Sequence, residues 1–349
     1  MATFPSKADY VTGEVLTATN MNDIGGAINL LESAQYAAGK NEIINGDFGV
    51  WQRGTTLATF GYLADRFYGD TNATVTQSRQ TFTAGTAPVA GYEGQFFYRM
   101  AKSAGGTYAS LQQKIEDVRT FAGQTVTLSF WGKIDTGTLS VGTVFEQNFG
   151  SGGSTAVYTY GSNVTLTTSW TRFTTTVAIP SITGKTIGTS SFLNIYPFNA
   201  TTAAAITFDI WGVQVEAAST ASNFQTATGT KQGELAACQR YYFRQSASAS
   251  NAYAVYGFGS ATATTTMDAP IKFAQTMRTT PTAIEFSNLG VSADNATIIS
   301  VSAATFVSGE TGTDNAMVRF AATGLTQYRP YGVYSNNSTS AYLGFSAEL

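Results

Sequence analysis

The chain has 349 residues, a formal net charge of −3 and 12% charged residues, about half the usual charged share of a globular protein. It has no histidine and a single cysteine, Cys238. Together these exclude an internal disulfide, a thiolate metal cluster, His-bearing zinc sites, Ser-His-Asp and Cys-His nucleophile systems, and a basic footprint for nucleic acid.

The length suffices for two or three cores. No stretch approaches the ~18 apolar residues of a membrane span, and the first residues lack the basic-then-apolar order of a signal peptide, so no membrane insertion is expected. Residues 1–16 read as irregular. Thr17 or Thr19 then suits a helix N-cap, and Met21, Ile24, Ile28 and Leu31 follow at three-four-three spacing. That seam predicts a short helical stem ending near Gly39, either self-associating or lying on its own domain.

Beyond Gly39 the helical period gives way to β patterns separated by Gly, Asn, Ser and Thr. "TVTLSFWGKI" (125–134) sets Val126, Leu128 and Phe130 on one face and Trp131 on the other. "WTRFTTTVAI" (170–179) alternates cleanly, whereas "AITFDIWGVQVEA" (205–217) is apolar on both faces and must lie beneath a loop, a partner or a neighbouring subunit. "TATGTKQG" (226–233) marks a boundary. "GELAACQRYYFRQ" then reads as one or two helical turns followed by a strand from Arg240, and "PIKFAQTMRTTPTAIEF" (270–286) as two strands around a loop. The fold expected is mostly β: an N-terminal attachment segment with a short helical stem (1–39), a β-sandwich jelly roll (40–230) and a second, C-terminal β-sandwich-like domain (231–349).

Without histidine, two functional chemistries stay open. Sugar binding needs flat aromatic faces flanked by amides and carboxylates. Trp131, Tyr158, Tyr160 and Tyr196 are the candidates in the first β domain, and Tyr328, Tyr331 and Tyr334 of the loop-like "YRPYGVYSNNSTSAY" in the second. Carboxylate-only glycan hydrolysis needs an acid pair brought together by folding, with Glu93, Glu116, Asp117, Asp135 and Glu146 available. Asp65 and Arg66 in "YLADRF" have the spacing for a partly buried ion pair.

The segments "NEIINGDFGVWQRGTT", "FDIWGVQVEAASTASNFQT" and "GELAACQRYYFR", in this order, resemble tailed-bacteriophage virion appendages: tail-fibre or minor tail proteins with a carbohydrate-binding-module-like jelly roll. "GEVLTATNMNDIGGAIN" resembles the helical lead-in of phage fibres, and "KFAQTMRTTPTAIEF" the hairpin of their distal domain. The resemblance implies that the "NGDF…W" segment forms the first strand and pairs with the last, "FDIWGVQVE". It also implies a structural calcium ion between them at Asp47 and Asp209, although Ile210 and Trp211 replace the paired acids expected after the last-strand aromatic. Its partners would be two further copies in a homotrimer, another virion protein at the N-terminal segment, and a host cell-surface polysaccharide bound without catalysis through multivalency. Two other roles fit the same features: a structural virion component (head fibre, decoration or adaptor protein) without receptor role, and a carboxylate-only depolymerase.

Overall fold

The computed structural model describes residues 40–89, 92–294 and 296–349. The seam of Met21, Ile24, Ile28 and Leu31 lies outside them. Between residues 56 and 216, alternating apolar and hydroxyl-bearing residues build a sandwich of two antiparallel sheets. The first has the order β1 (Thr56–Leu57), β4 (Val75–Thr81), β5 (Phe96–Lys102), β13 (Ile206–Glu216), β7 (Thr125–Ile134), β11 (Thr171–Ala178). The second runs β10 (Val164–Leu166), β8 (Leu139–Asn148), β12 (Phe192–Thr201), β6 (Tyr108–Glu116), β3 (Tyr68–Thr71), β2 (Gly61–Tyr62), with β9 (Val157–Tyr160) also paired to β8.

The inward faces make one core. Val126, Leu128 and Phe130 of β7 and Phe208 and Ile210 of β13 meet Leu111, Ile195 and Phe198 of the second sheet, all buried. Phe198 and Phe208 stack across the gap with ring centres 3.5 Å apart. The outer face of the first sheet is buried too. Trp211 lies 5.5 Å from Trp131, 4.9 Å from Phe224 and 6.0 Å from Phe82, ring centre to ring centre. The segment 217–226 is fastened over this face by the Ser222 amide donating to Glu216 (2.7 Å) and by Arg172 donating to the Ser222 carbonyl. The second apolar face of β13 is therefore covered by a loop of its own chain. Gly212, at φ +65, makes room for it, because a Cβ there would stand 2.6 Å from the Trp131 ring.

The segment expected as a first strand is not one. Residues 41–50 form a turn, with Asn45 and Phe48 at φ 62 and 53, pinned along β13 by Glu42 N to Val215 O (3.2 Å) and Val213 N to Gly46 O (2.9 Å). The pairing with the last strand is thus present, through a turn rather than a ladder. Trp51 is half-buried against Phe48 and Tyr98.

Thr230 caps the helix Lys231–Gln239 by accepting from Gly233 N at 3.0 Å. Cys238 is buried within it and free. A three-stranded sheet, β14 (Tyr242–Ser246), β23 (Tyr342–Ser346), β17 (Ala283–Ser287), then joins a seven-stranded one: β19 (Ile299–Ser300), β18 (Leu289–Ser292), β22 (Pro330–Ser335), β15 (Val255–Ala261), β16 (Thr266–Lys272), β21 (Asn315–Ala321), β20 (Ala303–Thr311). Their core holds Met267, Ile271, Val318, Phe320 and Phe345 and is separate from that of the sandwich. The strands flanking "MRTTP" do not form a hairpin, since β16 and β17 belong to different sheets.

The two β units are fastened by buried charge. Arg66 and Arg53 both pair with Glu348, and the guanidinium groups lie over Tyr241 and Tyr242 at 3.3 and 3.5 Å from the ring centres. Arg66 does not pair with Asp65 as its spacing suggests. Asp65 instead accepts from the Gln52 amide (2.6 Å) and side chain (2.7 Å), while Arg66 adopts φ 71 and points to the second domain.

Candidate functional site

The outer face of the second sheet carries the exposed rings of Tyr158 and Tyr160, with Glu146, Asn194 and Val144 buried at its centre. Antiparallel register puts directly opposed residues on one face, so its composition follows from the ladders. Tyr158, Glu146, Asn194 and Lys114 form one row across β9, β8, β12 and β6. Beside it run Tyr160, Val144 and Tyr196, with Gln112, Tyr68 and Tyr62 on the far strands. Asn199, Ser110 and Asp70 make a third row, and Tyr108 lies beyond it. The result is a strip of tyrosines with amides and carboxylates between them.

Glu146 organises the centre. Its carboxylate accepts from Asn148 Nδ2 (2.9 Å), Tyr196 Oη (3.2 Å) and Asn194 Nδ2 (3.4 Å), and Asn194 also donates to Gln112 at 2.6 Å. Burial, followed by the neighbouring Glu146 carboxylate, pushes the Tyr196 and Tyr158 hydroxyls up, so both stay protonated donors. Tyr160 is 70% exposed and Tyr158 50%, while Tyr196 is half-buried. At the other end Tyr62 and Tyr68 meet edge-on at 5.0 Å, and Tyr108 donates to Asp70 at 3.3 Å. Asn194 Oδ1 is buried with no protein partner.

Of the aromatics singled out by sequence, Tyr158, Tyr160 and Tyr196 come together on this strip. Trp131 does not: it is 8% exposed on the opposite sheet, beneath Phe224 and with Arg172 4.7 Å over its ring. Tyr331 and Tyr334 do not lie in a loop, because β22 is an interior strand between β18 and β15, whereas Tyr328 sits in the turn that precedes it. Tyr331 is 5% exposed and accepts from Thr326 N at 2.9 Å, Tyr334 is half-buried, and only Tyr328 is open, at 80%. Tyr62, Tyr68, Tyr108 and Gln112 were not foreseen; only strand register brings them here.

The donor set does not fit calcium at Asp47 and Asp209. Cross-strand neighbours Arg99 (2.7 and 2.8 Å) and Lys133 (3.5 Å) neutralise Asp209, while Asp47 accepts from the Tyr92 hydroxyl at 2.8 Å. Among the described residues no group of three or more acidic, His or Cys side chains converges as a metal site, and calcium wants six to eight oxygens. Of the acids available for hydrolysis, Glu116 pairs with Arg240 (3.5 Å) and Asp117 with Arg119 (3.0 Å).

A cavity of about 640 Å³ lies where residues 47–52, 92–96 and 226–235 meet. Its carboxylates serve the fold: Glu234 accepts from Asn45 N and Thr228 N, both at 2.7 Å, and Glu93 from Gly85 N at 2.7 Å. The tyrosine strip, with its exposed rings, is the stronger candidate. Among the described residues no helix is long and apolar enough to cross a membrane.

A two-sheet β-sandwich with one covered and one aromatic outer face is the class these features define. No protein-family model matches the chain, and no curated protein does. Solved structures do. The CBM22-1 xylan-binding domain of Xyn10C from Paenibacillus barcinonensis is 15% identical, with a TM-score of 0.33, over 53% of this chain and 98% of that one. The enzymatically active domain of tailspike protein 4 from bacteriophage CBA120 is 13% identical, with a TM-score of 0.33, over 51% of this chain and 21% of that one. The C-terminal family 22 carbohydrate binding module of Xyn10B from Clostridium thermocellum is 17% identical, with a TM-score of 0.32, over 45% of this chain and 89% of that one.

Proposed function

We propose that the chain is a non-enzymatic glycan-binding protein of a bacteriophage appendage, a tail fibre or similar receptor-binding part, whose tyrosine strip holds a host surface polysaccharide. The observation that carries this is the exposed row of Tyr158 and Tyr160 beside the hydrogen-bonded cluster of Glu146, Asn194 and Gln112. Tyrosine rings offer rigid area to the C–H faces of sugars, and the carboxylate and amides match vicinal hydroxyls. The placement on a virion rests on the order of the "NGDF", "FDIWGVQVE" and "GELAACQRYY" segments. Several copies on one particle supply avidity that a shallow strip lacks alone.

The test is binding of the purified full chain to immobilised bacterial polysaccharides. Tyr160→Ala is expected to lower affinity about tenfold, or ~1.4 kcal/mol, with an unchanged melting temperature because the ring is outside the core. Retention of every glycan by the variant, or none by the parent, refutes the site. Antibody labelling of intact phage particles tests the virion placement; particles that carry none of the protein refute it.

A further inference from the structure

Charge on the strip is distributed unevenly. Glu146, 7% exposed, and the half-buried Asp70 both lie on this face. Lys114 is the sole basic residue in any strand of this sheet, and it is already engaged. Its ammonium donates to the Leu349 carbonyl at 2.9 Å and stands 4.6 Å from the centre of the Phe192 ring. The other cations of the sandwich strands, Arg79, Arg99, Lys102, Lys133 and Arg172, all belong to the opposite sheet, where Asp209 holds Arg99 and Lys133. A carboxylate, phosphate or sulfate laid along the strip would meet two acids and no unengaged strand cation.

Resting on the proposal above, we infer that the strip selects uncharged glycans, built of neutral or N-acylated sugars, and rejects chains bearing uronic acid, phosphate or sulfate groups. Glu146 is the specificity-determining residue. It sits between the exposed Tyr158 and Asn194, so an anionic group stacked on Tyr158 lies within reach of its field. One like-charge contact at about 5–6 Å costs from roughly fourfold in affinity in bulk water to over about a hundredfold at the dielectric of a protein surface, so a loss of about tenfold lies between the two limits.

The experiment uses the full chain on an array of bacterial polysaccharides sorted into neutral and acidic sets. A neutral binder is then oxidised at its primary hydroxyls to carboxylates, giving a matched pair. The neutral form should bind at least about tenfold more tightly than its oxidised counterpart, and Glu146→Gln, which keeps an acceptor for Tyr196, should shrink that ratio about tenfold. Asp70→Asn provides a second variant should Glu146→Gln fold poorly, with a smaller shift in the same direction. Equal or tighter binding of the oxidised glycan overturns the charge selection while leaving the platform standing. A ratio unmoved in the folded variants overturns the roles of the two acids. Silence across both sets removes the platform itself.

Discussion

Removing Glu348 should separate the two halves of the molecule energetically. The Arg66 side chain is 1% exposed, and Arg53 and Glu348 are almost as deeply buried. Glu348→Ala leaves two guanidinium groups without their shared carboxylate. Arg66 keeps the Lys114 carbonyl and the Tyr241 face, but its Nε already lacks a partner. Stranding a buried charge costs about 3–5 kcal/mol, a large part of the ~5–15 kcal/mol that stabilises a typical domain. Glu348→Gln, which still accepts from one guanidinium, should cost less, about 1.5–3 kcal/mol. Urea denaturation followed by tryptophan fluorescence reports the sandwich, since Trp51, Trp131, Trp170 and Trp211 all lie there. Far-UV circular dichroism reports both units. Coincident transitions in the parent should become two in Glu348→Ala. A loss below about 1 kcal/mol, with the two probes still coincident, would show that the charge cluster does not join the domains.

Two further outcomes follow from backbone and titration. A Cβ on Gly46 would stand 2.1 Å from the Val213 carbonyl oxygen, and the turn cannot retreat without breaking the 2.9 Å bond from Val213 N to Gly46 O. Gly46→Ala should therefore cost at least the ~1–3 kcal/mol of overpacking, and an unchanged denaturation midpoint would contradict the turn's docking. Burial pushes the Glu216 carboxyl up, but the Ser222 amide and hydroxyl, the Gln214 side chain and Lys40 outweigh it and hold the group below its ordinary 4.5. A lowered folded pKa contributes stability that is present above the unfolded value and is lost as pH falls through the folded one. The parent should lose stability below pH 4.5 more steeply than Glu216→Gln, and parallel pH profiles would refute this.

Legibility followed periodicity. "TVTLSFWGKI" is β7 residue for residue, and β11 and β13 fall within one residue of the stretches that alternation marks out. The two-faced apolarity of β13 correctly required a cover, and the cover is residues 217–226 of the same chain. Elsewhere, local composition misled. "YRPYGVYS" reads as a turn because of its proline and glycine, yet Pro330 opens β22 and Gly332 is small so that the Tyr334 ring can lie against it, 2.5 Å from where a Cβ would be. Tyr62, Tyr68 and Tyr108 carry no signal of their own. They join Tyr158 and Tyr160 only through the β9-β8-β12-β6-β3-β2 ladder, whose pairings span up to about a hundred residues and leave no fixed spacing to read. Glu348 escaped notice for the same reason: its partners, Arg53 and Arg66, lie nearly three hundred residues away.

Strand β6 is where the tyrosine strip and the domain junction share atoms. Its outward Gln112 takes the Asn194 amide, while its inward Gln113 is tied to both backbone groups of Ile44 at 2.9 Å. Between them in function, Lys114 accepts Arg66 on its carbonyl and donates its ammonium to Leu349. A strand held on both faces and at its backbone leaves little to reorganise, so under the proposed glycan-binding role the conformational cost of binding is small and the strip is formed in advance. This arrangement favours weak, fast contacts repeated over several copies above a single closing site. It also occupies the one basic residue of the sheet's strands: Lys114 lies in the row of Glu146 and Asn194, but its ammonium is engaged by the Leu349 carbonyl and the Phe192 ring.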